Sequence, residues 1–294
     1  KKSCSRSKKH PLFFYSSICA TLIGMVHIET KAYGKVNIGL KVGGKREDGY
    51  HDIDSYFLLI PFFDELSFSL EDGKYSVDIE GNQGYLAEGK TDIMEKAAGI
   101  YSEATGLEFS LSIGIKKHIP DKAGLGGGSS DAASVLLFLN GLFKALDEKS
   151  LLELSSKVGA DVPFFVSKAK LARVKGIGDI IQPMEYSLPY KYISLFRAPG
   201  SGVSTKEAYD RLDMRDIGYS PLPSLSFPLK REDFPNDFEL LEGRGMLEKI
   251  KGLMNSDDYA SLSGSGSVWF LLSERKISSD IEEFIGSKEI NVMD

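Results

Sequence analysis

A run of small residues near the middle of the chain constrains the fold more than any other stretch. Residues 118–134 read HIPDKAGLGGGSSDAAS, with four glycines in five positions, then two serines and an aspartate. Glycine loses more conformational freedom on folding than any other residue, so a cluster is tolerated where φ must be positive or where another group approaches the backbone closely. A flexible linker is the simplest interpretation, but the flanking residues argue against it.

Those flanks have regular periodicity. Residues 107–115 alternate apolar with small or polar side chains, as a strand does, and residues 132–146 place apolar side chains at helical spacing. A glycine loop between a strand and a helix can cradle phosphate, because the first N–H groups of a helix are unpaired and glycine has no Cβ to obstruct them. We therefore expect a phosphate-binding loop, with a tight turn as the alternative. Its residues are Gly124, Leu125, Gly126, Gly127, Gly128, Ser129 and Ser130.

Length and composition predict a two-domain enzyme. The chain has 294 residues, of which 42% are hydrophobic, enough for one large domain or two ordinary ones. The composition loosens over residues 183–189, so we place the boundary there, between an N-terminal domain at 25–184 and a C-terminal domain at 185–294. The sequence leaves the oligomeric state open between a monomer and a weak homodimer.

Charge and cysteine are unevenly distributed along the chain. The first 24 residues carry five Lys or Arg and no acidic residue, so the remainder carries 31 basic against 42 acidic residues. Such an acidic body disfavours nucleic acid as a partner. Both cysteines, Cys4 and Cys19, lie in the leading segment, so the rest has no thiol for a disulfide or a zinc site. A reducing cytoplasm fits this distribution.

The leading segment, residues 1–24, has a basic head and an apolar stretch that is too short to span a membrane. It can be a secretory signal, an organelle-targeting presequence, or upstream sequence ahead of a start at Met25. We favour the last interpretation because the periodic pattern begins directly after Met25. We expect a cytoplasmic protein without a membrane partner, or an organellar one if residues 1–24 are a presequence.

Periodicity elsewhere predicts strands first and then mixed elements. VHIETKAYGKVNIGLKV alternates like a strand, and SYFLLIPFFDELSFSLED predicts two strands separated by Pro61. Further helices are expected at 92–105, 150–158, 206–214, 238–254 and 279–285, and a surface loop at 219–235. Ser150 is the expected N-cap of the second of these helices, with Glu153 at its capping-box position. Mixed elements in sequence-local groups predict α+β architecture.

Two stretches offer groups for phosphoryl transfer, which needs a base for the attacking hydroxyl and cations to offset charge. In GADVPFF, Asp161 lies in apolar surroundings at a predicted helix-to-strand turn, where a turn-forming aspartate is the alternative. In KAYGKVNIGLKV, Lys35 and Asn37 lie two positions apart, which puts both side chains on one face of a strand. An exposed strand lysine is the alternative there.

Two more motifs suit nucleotide or heterocycle binding. LSGSGSVWF places a glycine-serine turn at residues 263–266 before a strand, and this turn could close over phosphates. DGYH places Tyr50 and His51 side by side, which offers an aromatic face and a hydrogen-bonding ring to a planar heterocycle. His51 could equally cap a loop.

In this order, GKVNIGL, DGYH, IPDKAGLGGGSSDAASVLLFLN, GADVPFF, GVSTKEAY and LSGSGS resemble the GHMP kinase superfamily, and most of all its family of 4-diphosphocytidyl-2-C-methyl-D-erythritol kinases. The resemblance implies a two-domain α+β fold, with an N-terminal domain like ribosomal protein S5 domain 2, a ferredoxin-like C-terminal domain and the active site between them. It also implies transfer of the ATP γ-phosphate to the 2-hydroxyl of 4-diphosphocytidyl-2-C-methyl-D-erythritol. Another GHMP kinase, for homoserine or mevalonate, and a non-catalytic nucleotide sensor are the alternatives.

The same resemblance implies roles for individual residues. Asp161 matches the catalytic aspartate, and Lys35 matches the lysine that keeps this aspartate ionised and offsets charge in transfer. Asn37 is expected to touch the substrate beside them. The glycine loop matches the ATP phosphate loop, and Lys117 matches a nucleotide-side lysine just upstream.

For the cytosine end of the substrate, the resemblance implies that His51 hydrogen-bonds the base and that Tyr50 stacks on it. Thr205 and Tyr209 match a polar contact and a second aromatic wall. Mg²⁺ is expected with ATP, although no acidic cluster marks its ligands. The chain departs from the family pattern at Tyr33-Gly34, where Pro-Ala is usual, and at Trp269, where a smaller residue is usual.

Overall fold

The computed structural model describes residues 26–81, 92–185, 187–197, 204–213, 218–241 and 245–290. The leading segment 1–24, Met25 and the first two residues of the GVSTKEAY motif therefore lie outside the described residues, as does part of the loose stretch at 183–189. None of the helices in the described ranges is both long and apolar enough to cross a membrane.

Six strands of the first half form one sheet. They are β1 (Val26–Lys45), β2 (His51–Glu71), β3 (Ser76–Glu80), β4 (Ser110–Lys116), β5 (Leu171–Gly176) and β6 (Ile180–Pro183). The order is β3-β4-β2-β5-β6, with β1 paired to β2, and every pair except β3 with β4 is antiparallel. The strand predicted at 107–115 corresponds to β4.

The prediction of two strands separated by Pro61 is wrong, because β2 runs through the proline as one strand of 21 residues. Tyr33 pairs with Phe63 and Lys35 pairs with Leu59, so the register with β1 shifts at the proline. On the other side of β2, pairing with β5 ends at Leu58 and pairing with β4 starts at Glu65. The N–H that proline lacks is therefore not needed by any ladder, and a strand tolerates proline at such an irregularity.

Four helices accompany this sheet: α1 (Ile93–Thr105), α2 (Gly127–Phe143), α3 (Glu148–Val158) and α4 (Val162–Val166). The helix expected at 92–105 is confirmed, with Asp92 as its N-cap. The central helix α2 is buried from Ser130 to Leu139, and Phe138 stacks on Phe68 of β2 with ring centroids 4.7 Å apart. The first half thus has one layer of helices on a sheet.

Two helix starts differ from the prediction. Helix α2 begins at Gly127 rather than at 132, because Gly126 in the left-handed region turns the chain and the next two glycines are already helical. Helix α3 begins at Glu148, and its N-cap is Asp147, whose side chain accepts from the N–H of Ser150. Aspartate caps a helix as well as serine does, so the N-cap predicted at Ser150 is wrong by three residues.

The second half forms a smaller antiparallel sheet of β7 (Tyr192–Arg197), β8 (Tyr259–Leu262), β9 (Val268–Ser273) and β10 (Phe284–Glu289), in the order β10-β7-β9-β8. Helix α5 (Thr205–Asp213) agrees with the helix predicted at 206–214. In place of one helix at 238–254 there are a 3-10 helix (Asp237–Leu240) and α6 (Gly245–Lys251). The final helix predicted at 279–285 is wrong, because residues 279–283 are neither helix nor strand and Phe284 begins β10, which pairs with β7.

The proline-rich segment 219–235 has neither helix nor strand, as predicted, but it is not simply a surface loop. Its side chains Leu222, Leu229 and Phe234 are buried. The hydroxyl of Tyr56 in β2 donates to the carbonyl of Pro223 at 2.9 Å. The segment therefore covers one side of the first sheet. The domain boundary at 183–189 stays a prediction.

Candidate active site

A cavity of about 490 Å³ is lined by β1, the start of α2, the turn before α4, helix α5 and the 263–266 turn. Twelve residues predicted for the site lie in its wall: Lys35, Asn37, Lys117, Gly124, Leu125, Gly126, Gly127, Gly128, Ser129, Asp161, Thr205 and Tyr209. The fold thus gathers into one cavity residues that are far apart in the sequence.

The glycine loop presents the amino end of α2 to this cavity. The first backbone bond of the helix runs from the N–H of Ser130 to the carbonyl of Gly126 at 2.9 Å. The N–H groups of residues 127–129 precede it and have no acceptor within the helix. An anion in the cavity would meet these N–H groups and the positive end of the helix dipole.

The two glycine-rich turns pack directly against each other. Gly124 has φ +73°, and a Cβ there would lie 1.9 Å from the carbonyl oxygen of Ser263. The Ser263 hydroxyl donates to the carbonyl of Gly124 at 2.8 Å. Gly124 therefore permits a close approach of backbones, and the 263–266 turn packs against the phosphate loop while Gly264 and Ser265 also line the cavity.

The two serines of the loop face different ways. Ser129 lines the main cavity, whereas Ser130 is buried and borders a separate small cavity near Lys31 and Tyr33. Of the two, the structure offers only the Ser129 side chain to a ligand in the main cavity.

Lys35 and Asp161 meet although 126 positions separate them in the chain. The ammonium Nζ of Lys35 lies 3.3 Å from Oδ2 of Asp161, and the two side chains are 4% and 29% exposed. The Lys35 ammonium also lies over the Phe57 ring, 4.6 Å from its centroid. The backbone N–H of Lys35 donates to the carbonyl of Leu125 at 2.8 Å, which ties β1 to the phosphate loop.

Asp161 occupies a helix-to-helix turn, not the helix-to-strand turn that was predicted. It is the N-cap residue of α4, but its side chain makes no capping hydrogen bond. The residues after it, VPFFV, are helical, since a proline is tolerated in the first turn of a helix. The carboxylate is therefore left to face Lys35 and the cavity.

Asn37 lies beside Lys35, as predicted, but its amide is engaged by the protein. Its Oδ1 accepts from Nζ of Lys35 at 2.8 Å and from the N–H of Gly264 at 2.9 Å. Its Nδ2 donates to the hydroxyl of Ser55 at 3.0 Å. Asn37 therefore connects the lysine with the 263–266 turn.

Lys117 also lines the cavity and lies between two buried carboxylates. Its Nζ is 2.5 Å from Oδ2 of Asp64 and 2.7 Å from Oδ2 of Asp131. Burial opposes the charged form of Lys117, but the two carboxylates outweigh it and raise the pKa of the ammonium. Burial also raises the pKa of the Asp131 carboxyl to about 7, and the nearby charge of Asp64 adds to this rise.

The residues predicted for the cytosine end are only partly brought to the cavity. Thr205 and Tyr209 line the cavity, whereas His51 and Tyr50 do not. His51 is buried, with Nε2 2.6 Å from Oδ1 of Asp213, and its ring stacks on Tyr209 with centroids 5.0 Å apart. Tyr50 is 57% exposed.

The sequence analysis missed several residues of this region. Asp64, Asp92, Asp131, Phe57 and Phe238 either line the cavity or contact Lys117. Asp131 directly follows the loop serines, and Asp64 interrupts the apolar run LLIPFFDEL, so both had a visible signal. Phe57 and Phe238 had none, because an apolar residue in an apolar stretch is indistinguishable from core.

Known proteins resemble this chain over most of its length. Residues 92–169 match the GHMP kinases N terminal domain. The chain is 38% identical over 265 residues to 4-diphosphocytidyl-2-C-methyl-D-erythritol kinase of Chlorobium phaeobacteroides (strain BS1), an alignment that covers 85% of this chain and 90% of that relative. The chain belongs to the 4-diphosphocytidyl-2-C-methyl-D-erythritol kinase family. A member of the same name from Fervidobacterium nodosum is 35% identical over 258 residues, which are 84% of this chain and 91% of that relative.

Solved structures place this family member in the GHMP kinase fold. A crystal structure of 4-(cytidine 5'-diphospho)-2C-methyl-D-erythritol kinase superposes with a TM-score of 0.65 at 33% identity, covering 84% of this chain and 90% of that one. Phosphomevalonate kinase of Streptococcus pneumoniae superposes with a TM-score of 0.57 at 13% identity, which shows the shared fold alone. The predicted two-domain α+β kinase fold and the family are confirmed. The roles of individual residues stay predictions.

Proposed function

We propose that this kinase transfers the γ-phosphate of ATP to the 2-hydroxyl of 4-diphosphocytidyl-2-C-methyl-D-erythritol, giving the 2-phosphate and ADP. The observation that carries the proposal is the Lys35–Asp161 pair, whose Nζ and Oδ2 are 3.3 Å apart in the wall of a cavity that also holds the amino end of α2. A helix amino end that can bind phosphate and a carboxylate in the same cavity are the groups that phosphoryl transfer to an alcohol needs.

In this proposal Asp161 is the base. As the oxygen of the acceptor hydroxyl forms its bond to phosphorus, the hydroxyl proton passes to the Asp161 carboxylate, and the bond between phosphorus and the bridging oxygen of ADP breaks. Lys35 offsets the negative charge of the transferring group, and the N–H groups of residues 127–129 hold the phosphates in line. Asn37 and the Phe57 ring restrict where the Lys35 ammonium can lie.

We expect ATP to act with Mg²⁺. Among the described residues, no three His, Cys, Asp or Glu side chains form a ready metal site. The cavity nevertheless suits a magnesium ion, because Oδ1 of buried Asp131 has no hydrogen-bond partner and the Ser129 hydroxyl lines the same wall. Mg²⁺ usually keeps several waters and takes one or two carboxylates, and it would neutralise phosphate oxygens.

For the cytosine we propose the stretch around α5. Tyr209 and Thr205 support this, since both line the cavity, and the stacking of His51 on Tyr209 places His51 next to the same wall. Tyr50 is exposed and therefore available to cover a bound base. That the protein is a monomer or weak homodimer of the cytoplasm remains our expectation from the sequence.

An acceptor comparison tests the proposal. Purified protein with Mg²⁺ and ATP should release ADP when given 4-diphosphocytidyl-2-C-methyl-D-erythritol, but not when given mevalonate or homoserine. The Asp161→Asn variant should lose most of this activity, by about 100-fold or more if Asp161 is the base, while it still binds ATP. ADP release with another alcohol would reassign the acceptor, and release with none would favour a nucleotide sensor. An active Asp161→Asn variant would remove Asp161 from the role of base.

A further inference from the structure

Asp64 is a fully buried carboxylate in an otherwise apolar stretch of β2. Its exposure is 0%, and its backbone pairs with Ala32 of β1. A buried charge costs several kcal/mol unless it is paired and hydrogen-bonded. Such a group in the middle of a sheet calls for a specific set of partners.

Three consecutive residues supply those partners. Oδ1 of Asp64 accepts from the backbone N–H groups of His118 and Ile119 at 2.5 and 2.8 Å. Oδ2 accepts from Nζ of Lys117 at 2.5 Å. The three donors lie at the point where the chain leaves β4 and enters the phosphate loop.

The same carboxylate adjoins the start of α2. A Cβ on Gly127 would lie 3.4 Å from Oδ2 of Asp64 and 3.0 Å from the Ile119 side chain. Asp64 therefore bonds to the beginning of the segment that runs from Lys117 to the helix and lies close to the glycine at its end, so β2 supports that segment.

Asp64 also decides where the Lys117 ammonium lies. An ammonium has three N–H groups, and Asp64 and Asp131 accept from two of them, so one remains for a ligand in the cavity that Lys117 lines. The two carboxylates are not equivalent. Asp64 has both oxygens hydrogen-bonded, whereas Oδ1 of Asp131 has no partner.

We propose that Asp64 is a positioning residue for the nucleotide: it holds Lys117 and the backbone of residues 118–119 in the geometry that receives ATP. The proposal rests on the function proposed above, and it adds a residue that acts through Lys117 and does not touch ATP itself. Because the carboxylate is fixed to the sheet, its loss should weaken ATP binding and leave the affinity for the acceptor alcohol nearly unchanged.

The variant Asp64→Asn tests this with little change in volume. The side-chain amide of this variant has two possible orientations. With its oxygen towards the two backbone N–H groups, its NH₂ faces the Lys117 ammonium. With its oxygen towards the ammonium, its NH₂ faces the two backbone donors. Either orientation loses one set of bonds. Because charge-assisted hydrogen bonds are the stronger ones, we expect the Kd for Mg-ATP, measured by titration calorimetry on the full chain, to rise at least about tenfold.

Asp54 provides a matched control. It lies on the same strand, is 0% exposed, accepts from the Arg173 guanidinium at 2.8 and 2.7 Å and accepts from the N–H of Leu222 at 3.1 Å. Asp54 is not one of the described residues that line the cavity. We expect Asp54→Asn to lower the melting temperature as Asp64→Asn does, but to leave the Kd for Mg-ATP within about twofold.

A double variant keeps the test decisive if Asp64→Asn fails to fold. Asp64→Asn with Lys117→Met removes the buried ammonium and one of its two carboxylates, which leaves Asp131 as the one buried carboxyl of this group, and its pKa is already raised to about 7. If Asp64 acts through Lys117, this double variant should bind Mg-ATP as Lys117→Met alone does. A further additive loss, or a folded Asp64→Asn that binds ATP like the wild type, would overturn the inference. Absence of ATP binding by the wild type would instead overturn the proposed function, and the inference with it.

Discussion

Asp131 is a buried residue of the cavity wall, and its ionisation changes the charge beside Lys117. Its side chain is 3% exposed, one oxygen contacts Lys117, and the other has no hydrogen-bond partner. Two carboxylates share one ammonium here, so the group holds one excess negative charge when both are ionised. Burial and the charge of Asp64 raise the pKa of Asp131 to about 7, whereas the ordinary value is 3.8.

We predict that Asp131→Asn stabilises the ligand-free protein in a pH-dependent way. A raised pKa in the folded state means that ionised Asp131 opposes folding, so this cost grows as the pH rises from the ordinary value through about 7. At pH 8 the variant should have a free energy of unfolding about 1–3 kcal/mol higher than the wild type. At pH 5 the difference should be smaller than at pH 8, and it should vanish only below the ordinary value of 3.8. Denaturant unfolding at both pH values, without nucleotide or magnesium, measures it, and an equal gain at the two values would contradict the assigned pKa.

At the scale of elements, the phosphate loop and the 263–266 turn form one unit. Gly124 and Gly264 both have positive φ, at +73° and +55°, and a Cβ on Gly264 would lie 3.2 Å from the Cα of Gly124. The glycines of this loop therefore have two structural roles. Gly126 to Gly128 open the start of α2 to phosphate, and Gly124 permits contact with the other turn.

We predict that Gly124→Ala destabilises the protein, because its Cβ would lie 1.9 Å from a backbone oxygen that has no room to move. Overpacking typically costs about 1–3 kcal/mol, and a positive φ adds about 1–2 kcal/mol for a residue with a side chain.

Gly128→Ala is the matched control for this prediction. Its Cβ would meet only the Ile93 side chain at 3.6 Å, an ordinary contact, and alanine favours a helix by about 1 kcal/mol over glycine. Thermal unfolding of both variants measures the difference. Equal destabilisation by the two would show that the loop responds to any added methyl group rather than to the contact with Ser263.

Elements with strong local signals were predicted well. Helix α1 and helix α5 lie within about one residue of their predicted bounds, and β4 follows its alternating pattern. The failures have tertiary causes. The long strand β2 tolerates Pro61 because its register with β1 shifts there and its other partner changes from β5 to β4. The segment β10 is a strand because it can pair with the edge of β7. In both cases the paired residues lie far apart in the chain, so local patterns do not reveal the pairing.

At the scale of the whole molecule, buried polar contacts join β1 to the C-terminal half beside the cavity. Nζ of Lys41 in β1 contacts Asp237 at 2.5 Å, and the two side chains are 15% and 6% exposed. Asp237 also accepts from the N–H of Val42 at 2.8 Å and directly precedes Phe238 in the cavity wall. This pair therefore positions the 3-10 helix against the N-terminal half.

We predict that Lys41→Met lowers the free energy of unfolding by about 3–5 kcal/mol, because it leaves the buried Asp237 carboxylate without its cation. Lys45→Met is the control, since Lys45 on the same strand pairs with Asp213 at 3.0 Å, where the side chains are 50% and 32% exposed. An exposed pair contributes about 0–1 kcal/mol. Denaturant unfolding of both variants provides the measurement, and similar losses would mean that the Lys41 contact is no stronger than a surface pair.

The sequence by itself determined the parts of the site that depend on neighbours in the chain. A glycine run between a strand and a helix creates unpaired N–H groups wherever it folds, and Lys35 with Asn37 share a face of any strand because side chains alternate. The order of the motifs was also sufficient to indicate the family that the comparisons then established.

Only the tertiary structure decided what each charged group meets. Lys35 reaches Asp161, Lys117 lies between Asp64 and Asp131, and His51 bonds to Asp213, across separations of 126, 53, 14 and 162 positions. Electrostatic and hydrogen-bond energies depend on distances of a few ångströms and on exclusion of water. Neither these distances nor the exclusion of water can be predicted from local periodicity, because both arise when distant strands and helices pack around the same cavity.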